Sequence, residues 1–149
     1  MIPNQIWQLD IFILQKYSKH NKGFKNIICA IDVFTRKVYA VPIKTKNIDD
    51  CTTGLNEIIT QAGVSPVTIM SDNDSSFKGN VFQKLLSKYN IIHYMNIVGD
   101  HHALGIIDRI TRTLKSIITK LFLRNKNNNW VDYLDKIINI YNNSLHLII

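Results

Sequence analysis

The sequence predicts an α/β fold built on a five-stranded mixed sheet, in which the first three strands are antiparallel and helices cover both faces. The first third of the chain holds three apolar, β-rich runs with short polar links between them, a pattern typical of an antiparallel meander. The remainder alternates between helical and strand periodicity in the order α-β-α-β-α-α. Strands followed by such an alternation indicate a mixed sheet with helices packed on it.

The composition predicts a single domain. The 149 residues, 46% of them hydrophobic, can bury a core and are too apolar for a disordered chain. A net charge of +7 suggests a polyanionic partner. No apolar run reaches the roughly 18 residues of a membrane span, and no secretory leader is found. With two cysteines only, these features predict an intracellular protein without a membrane partner.

Each predicted strand is a short β-rich run bounded by turn residues. The first is unusual because an otherwise apolar stretch contains Asp10 in its middle, although its length fits a strand better than a helix. A polar link containing Gly23 separates it from the second, and Thr35-Arg36 joins the second to the third. The five predicted strands are residues 6–14, 26–33, 37–43, 67–70 and 91–95.

Four helices are predicted from apolar residues at helical spacing and from capping residues at their ends. Asn47 is placed to cap the first helix and Gly63 to end it. The second is predicted to begin behind Asn80, with Val81 on its apolar face. The third and fourth helices are predicted over residues 107–121 and 130–141.

Three aspartates lie where the predicted fold can bring them together. Asp10 is inside the first strand, where an unpaired buried carboxylate costs several kcal/mol. Asp72 ends the fourth strand, and Asp108 lies near the start of the long helix. If the first and fourth strands are neighbours, the three carboxylates converge, and such oxygen ligands favour Mg²⁺ or Mn²⁺. Two such ions about 4 Å apart are the usual device for in-line phosphoryl displacement.

Plainer explanations stay open for the same residues. Asp72, which Asn73 follows, can simply belong to a turn. Asp108 can be an acidic residue that the helix dipole favours in a first turn. Asp32, near the end of the second strand, is a further carboxylate within a β-rich run and a weaker functional candidate.

Basic residues are concentrated in the long helix. Arg112 and Lys115 share a helical face with Asp108, opposite to the apolar face. Residues 109–131 contain six basic residues and no acidic one. A charge run is often only a solvated face, but one that directly follows a candidate metal ligand also predicts contact with a phosphate backbone.

Residues 97–105 are predicted to form a mobile loop that holds two adjacent histidines, His101 and His102. They are expected to touch the substrate or to cap the loop. Zinc is not predicted, because Cys29 and Cys51 lie in other elements and the sequence has no Cys-x-x-Cys pair. Both cysteines are predicted to lie in the core.

Four motifs in order resemble the catalytic core of retroviral-type integrases and their transposase relatives. Trp7-Gln8-Leu9-Asp10 resembles the first motif, and residues 71–77 resemble the second, usually Asp-Asn-Gly-Ser-x-Phe. Gly105-Ile106-Ile107-Asp108-Arg109 resembles the third, usually Gly-x-x-Glu-Arg. Residues 141–146 resemble a Tyr-Asn-x-x-Pro-His signature. The resemblance implies an RNase H-like fold across residues 1–149.

The resemblance also implies a chemistry. Asp10, Asp72 and Asp108 would be catalytic residues that bind two Mg²⁺ or Mn²⁺ ions, and 35 residues separate the second from the third, as in the family. The implied activity is that of a polynucleotidyl transferase, with possible endonuclease activity. It would trim the 3′ ends of an element's DNA and then join them to target DNA.

Partners follow from the same resemblance, namely double-stranded DNA and a second copy of the chain, as a homodimer or higher assembly. Arg109, Arg112 and Lys115 match or adjoin the family's DNA-holding residues, and His101 and His102 fall in its flexible catalytic loop. The chain resembles most the integrases of Maverick or Polinton transposons and of virophages. In a eukaryotic host such a protein would act in the nucleus.

Departures from the family pattern leave rival interpretations open. The third carboxylate is Asp108 rather than Glu, and Glu57, the only glutamate, belongs to another helix. Asp74 and Leu145 replace the usual Gly and Pro. The family's zinc-binding N-terminal and DNA-binding C-terminal domains are not found, so an isolated core is expected. The rivals are an RNase H-like nuclease without joining activity and a decayed module that only binds DNA or assists assembly.

Overall fold

The computed structural model describes residues 2–14, 19–96 and 104–144. Its strands are β1 Ile6–Ile13, β2 Asn26–Asp32, β3 Val38–Ile43, β4 Thr68–Ser71 and β5 Ile92–Met95. Its α-helices are α1 Ile48–Ala62, α2 Asn80–Lys88, α3 Gly105–Asn125 and α4 Leu134–Ser144. Each lies within a few residues of its predicted range, which confirms the order of elements.

The strands form one mixed sheet in the order β3-β2-β1-β4-β5. β1 pairs antiparallel with β2, and β2 pairs antiparallel with β3. β4 pairs parallel with both β1 and β5. The predicted mixed sheet with three antiparallel strands first is therefore confirmed, and β1 lies at its centre beside β4.

Two apolar layers cover the two faces of this sheet. Trp7 and Leu9 of β1 pack with α1 and α2 in one layer. Phe12, also on β1, packs with α3 and α4 in the other. Because successive side chains of a strand point to opposite faces, the even-numbered residues of β1 face α3. Asp10 therefore points toward the long helix.

The ends of α1 confirm the predicted caps, whereas the start of α2 differs from the prediction. Asn47 accepts a hydrogen bond from the backbone N–H of Asp50 at 2.8 Å, and Gly63 adopts a left-handed φ of 71°. The residue that caps α2 is Gly79 rather than Asn80. A Cβ on this glycine would collide with the Ile48 side chain, so close packing against α1 favours glycine there.

Val81, predicted to face the core from α2, is 48% exposed. The residues that α2 buries are Phe82 and Leu86, which are four positions apart, and Val81 lies outside this stripe. Cys29 and Cys51, by contrast, are buried and free, which confirms their predicted place in the core.

α3 begins at Gly105 and buries an apolar stripe against the sheet, while its opposite face stays polar. α3 ends before the fourth helix begins, as the two predicted ranges require, and Lys126 after its last residue has a left-handed φ of 54°. Of the predicted mobile loop, residues 97–103 lie outside the described residues, as do residues 145–149 of the tail signature. No helix in the described ranges has the length and apolarity needed to cross a bilayer.

Asn142, from the tail signature, joins α4 to β3. Its Oδ1 accepts from the backbone N–H of Val38, and its Nδ2 donates to the Val38 carbonyl, both at 2.8 Å. The amide thus pairs with both backbone groups of one residue. This contact holds α4, and with it the layer that contains α3, against the sheet.

Candidate active site

Asp10 and Asp72 come together through the parallel register of β1 and β4. Gln8 of β1 lies opposite Met70 of β4. Asp10 is two residues beyond the first of these, and Asp72 is two residues beyond the second, directly after β4 ends. The two aspartates therefore stand at the same level of adjacent strands, at the carboxyl end of β4.

A hydrogen bond from β1 holds the first turn of α3, and with it Asp108, beside the strand that carries Asp10. Gln8 is buried, and its Oε1 accepts a hydrogen bond from the backbone N–H of Ile107 at 2.9 Å. This bond ties the first turn of α3 to the strand that carries Asp10. Gln8 is thus a positioning residue, and the only signal in the sequence was a polar side chain inside an apolar strand.

The electrostatics show that the three carboxylates lie within reach of one another's fields. Burial raises the pKa of Asp10 from 3.8 to about 6. A backbone hydrogen bond opposes this rise, whereas the negative charges of Asp72 and Asp108 add to it. The nearby Lys115 ammonium lowers the same pKa. Sequence-predicted ligands and one predicted DNA-binding residue therefore converge on a single region.

The donor chemistry of this region fits a hard divalent cation. Three carboxylates without a counter-charge repel one another, and their oxygens are the ligands that Mg²⁺ and Mn²⁺ prefer. Across residues 2–14, 19–96 and 104–144, however, no three His, Cys, Asp or Glu side chains are grouped closely enough to hold one ion as they stand. Asp10, Asp72 and Asp108 thus form an open set, which an ion would have to draw together.

The sequence profile of the integrase core domain matches residues 1–101. The chain belongs to the integrase core family. A Gag-Pol polyprotein of gibbon ape leukemia virus is 31% identical over 133 residues, which cover 89% of this chain and 8% of the polyprotein. A transposon-derived protein of Caenorhabditis elegans is 27% identical over 135 residues, covering 89% of this chain and 46% of that protein. The chain thus spans less than half of either relative.

Solved structures of integrases share the fold of this integrase core. A subunit of the simian T-cell lymphotropic virus intasome, solved with PP2A regulatory subunit B56 gamma, superposes with a TM-score of 0.80 and 25% identity, covering 92% of this chain and 48% of that one. The magnesium complex of the HTLV-2 integrase catalytic core, in its dimeric form, superposes with a TM-score of 0.72 and 24% identity. The match covers 95% of this chain and 86% of that one. The RNase H-like fold is therefore confirmed.

In this integrase core, Asp74 does not simply add a negative charge beside Asp72. Its backbone N–H donates to Oδ1 of Asp72 at 3.1 Å. Its carboxylate accepts from the N–H of Ser76 at 2.9 Å and pairs with the Lys46 ammonium at 3.2 Å. Burial raises the pKa of Asp74, but the contacts with Ser76 and Lys46 together outweigh it and hold this pKa below its usual value. Lys46 balances the charge that replaces the family's glycine.

The predicted DNA-binding residues of α3 lie on its exposed side. Lys115 places its ammonium 5.5 Å from the centre of the Phe12 ring on β1, close to the carboxylates. Arg109 and Arg112 are exposed on the same helix. These positions suit contact with a phosphate backbone that approaches the carboxylates. His101 and His102 lie outside the described residues.

Asp32 has a structural role and lies apart from Asp10, Asp72 and Asp108. It is buried, and its carboxylate accepts from the backbone N–H groups of Asn4 and Phe34 and from the Thr35 hydroxyl, each at 3.0 Å. These three bonds close the turn after β2 and bind the chain that leads into β1. Glu57 is on α1, which packs on the opposite face of the sheet from α3, so it does not supply the third carboxylate.

Proposed function

We propose that this chain is the catalytic core of a DNA integrase, a metal-dependent polynucleotidyl transferase that trims the 3′ ends of an element's DNA and joins them to target DNA. The observation that supports the proposal most is that Asp10 and Asp72 stand at the same level of adjacent strands, with Asp108 near enough for its charge to raise the pKa of Asp10, in a chain of the integrase core family. Membership of that family supports this kind of activity. A magnesium complex of the related HTLV-2 core supports Mg²⁺ as the ion.

In the proposed mechanism Asp10, Asp72 and Asp108 would hold two Mg²⁺ or Mn²⁺ ions. When bound, such ions activate the attacking oxygen and neutralise charge on the phosphate. The protein itself does little covalent chemistry and contributes mainly by positioning. Gln8 keeps the first turn of α3 against β1, and Lys115 adds a positive charge beside the carboxylates.

The proposed partners are double-stranded element ends, target DNA and further copies of the chain. Arg109, Arg112 and Lys115 would hold the DNA backbone, with His101 and His102 as additional contacts. Assembly into a dimer or larger complex is supported by the dimeric and trimeric forms of the HTLV-2 core. The closer relation to Maverick or Polinton and virophage integrases, and a nuclear site of action in a eukaryotic host, belong to the same proposal.

Joining of DNA ends tests the proposal directly. We expect the chain, given Mg²⁺ and duplex DNA with pre-trimmed 3′ ends, to form joined product that a chelator abolishes. Supplying trimmed ends separates this activity from that of a nuclease, which would shorten strands without joining them. Shortened strands with no joined product at any protein concentration would favour the nuclease and overturn the integrase proposal.

One observation favours a second candidate, a decayed module that binds DNA without catalysis. The described carboxylates do not close around a common point. In addition, the third carboxylate belongs to Asp108, whose side chain is one methylene shorter than the family's glutamate. If the integrase site is intact, the position of α3 must already compensate for this shorter reach.

Replacing Asp108 with glutamate distinguishes an adapted site from a decayed one. For an adapted site we expect Asp108→Glu to change the rate of joining by less than about tenfold, equivalent to about 1.4 kcal/mol in barrier. Asp108→Asn, which keeps the size of the side chain and removes its charge, is the matched control and should lose activity. If the unsubstituted chain joins no DNA and Asp108→Glu does, the natural site has decayed.

A further inference from the structure

A row of hydrogen bonds leads from α2, along its side of the sheet, to the backbone of Asp72. Gln83 Nε2 lies 2.8 Å from the Phe77 carbonyl and 3.0 Å from His93 Nδ1. The other ring nitrogen, Nε2, lies 2.8 Å from the Ser71 hydroxyl. That hydroxyl in turn donates to the carbonyl of Asp72 at 2.9 Å. The side chains of Gln83, His93 and Ser71 are thus linked in series to the main chain of a proposed metal ligand.

The direction of every bond in this row follows from the chemistry of its groups. The Phe77 carbonyl can only accept, so the Gln83 nitrogen that faces it must donate. The same nitrogen therefore donates its other hydrogen to His93 Nδ1, which must carry a lone pair. The ring hydrogen is then on Nε2 and is donated to Ser71, whose own hydrogen goes to Asp72. This assignment requires a neutral imidazole, and burial favours it by lowering the pKa of His93.

The surroundings leave this row little freedom. Ser71 is fully buried, and His93 is half-buried with its ring centre 5.9 Å from that of Phe82. Gln83 is on α2, so the row lies on the side of the sheet opposite to α3. The peptide after Asp72 is therefore held from behind the sheet, while the Asp74 N–H holds the carboxylate from the turn.

We propose that His93 is a positioning residue for Asp72, acting through Ser71. By fixing the carbonyl of Asp72, it sets the direction in which the side chain leaves the backbone. The inference rests on the proposed function in that Asp72 is taken to be a metal ligand. Residue spacing did not single out His93, since it lies in an edge strand with an exposed neighbour on either side.

Two substitutions at His93 and one distant control test the role. His93→Phe keeps an aromatic ring beside Phe82 but removes both hydrogen-bonding nitrogens, whereas His93→Gln keeps one donor and one acceptor. His20→Phe removes an exposed histidine elsewhere. We expect the first to lower kcat for joining by at least about tenfold, because small displacements of a reacting group are costly. KM for DNA should stay within about twofold, since DNA is bound by other residues.

Rescue and metal binding separate positioning from simple stabilisation. The glutamine variant should recover most of the lost kcat, and the control should match the natural chain. His93→Phe should also weaken Mg²⁺ binding in calorimetry and shift the NMR signal of the Asp74 amide, which reports on the Asp72 carboxylate in metal-free protein. If His93→Phe does not fold, Ser71→Ala, which breaks the same row at its last link, is measured in its place.

The role of His93 can be decided even if the proposed integrase function fails. If the natural chain joins no DNA, the integrase proposal fails, but the Asp74 amide and Mg²⁺ binding still decide the role of His93. The inference would be overturned if folded His93→Phe had the same kcat for joining as the unsubstituted chain and an unshifted NMR signal for the Asp74 amide. Equal losses in the glutamine and phenylalanine variants would also overturn it, because only the former preserves the hydrogen bonds.

Discussion

Asp72→Asn abolishes strand transfer and leaves DNA binding intact, if the proposed site is correct. The amide has the shape of the carboxylate and retains an oxygen that can accept from the Asp74 N–H. It lacks the charge that a divalent ion requires. Loss of several kcal/mol of charge stabilisation in the transition state predicts a fall in joining rate of at least about 1,000-fold.

The measurement is joining of pre-trimmed ends, alongside DNA affinity at fixed salt, because electrostatic DNA binding depends strongly on ionic strength. Asp49→Asn is the matched control, since it makes the same change at an exposed aspartate on α1, on the opposite face of the sheet from α3. Joined product at the natural rate from the Asp72 variant would refute the assignment. Equal losses in both variants would point to a general effect of charge.

Asp10→Asn is expected to stabilise the fold at neutral and alkaline pH while it removes activity. The pKa of Asp10 rises from 3.8 to about 6 on folding, mainly through burial. The folded state therefore holds the proton more tightly, and stability falls as pH increases from about 4 to about 6. Above this window the full cost of a buried carboxylate is about 3 kcal/mol, at about 1.4 kcal/mol for each pKa unit. An amide does not ionise and avoids this cost.

Denaturant unfolding in a chelating buffer, at pH 4 and pH 8, measures the effect. The variant should be more stable than the natural chain by about 1–3 kcal/mol at pH 8 and nearly equal to it at pH 4. Mg²⁺ should then stabilise the natural chain and not the variant, since only the former keeps all three carboxylates. A variant that is less stable at pH 8 would show that the Asp10 carboxylate contributes favourable contacts rather than strain.

The sequence was informative where one residue type conflicted with its own element. Asp10 stood out because a strand interior rarely holds an aspartate, and the strand that carries it is where the prediction placed it. Alternating periodicity was enough to order the elements, since buried stripes and turn residues recur at fixed spacing. The partial convergence of Asp10 and Asp72 then follows from the parallel register alone.

Contacts between residues far apart in the chain were beyond such reasoning. The hydrogen bond between Gln8 and Ile107 joins two residues that are 99 positions apart, and periodicity does not say which polar groups of distant elements meet. The same holds for His93 and Ser71, which interact across two strands. The start of α2 differs from the prediction by one residue, and the glycine before it, Gly79, packs on Ile48 of α1, a tertiary contact that periodicity does not reveal.

The pairing of Asn142 with β3 also bears on how the protein avoids aggregation through the edge of its sheet. β3 is an outer strand of the sheet, and outer strands expose backbone groups that can recruit a strand from another molecule. At Val38 both of these groups are already occupied by the side-chain amide. The helix thereby supplies a one-residue substitute for a neighbouring strand, and its loss would open a starting point for edge-to-edge aggregation.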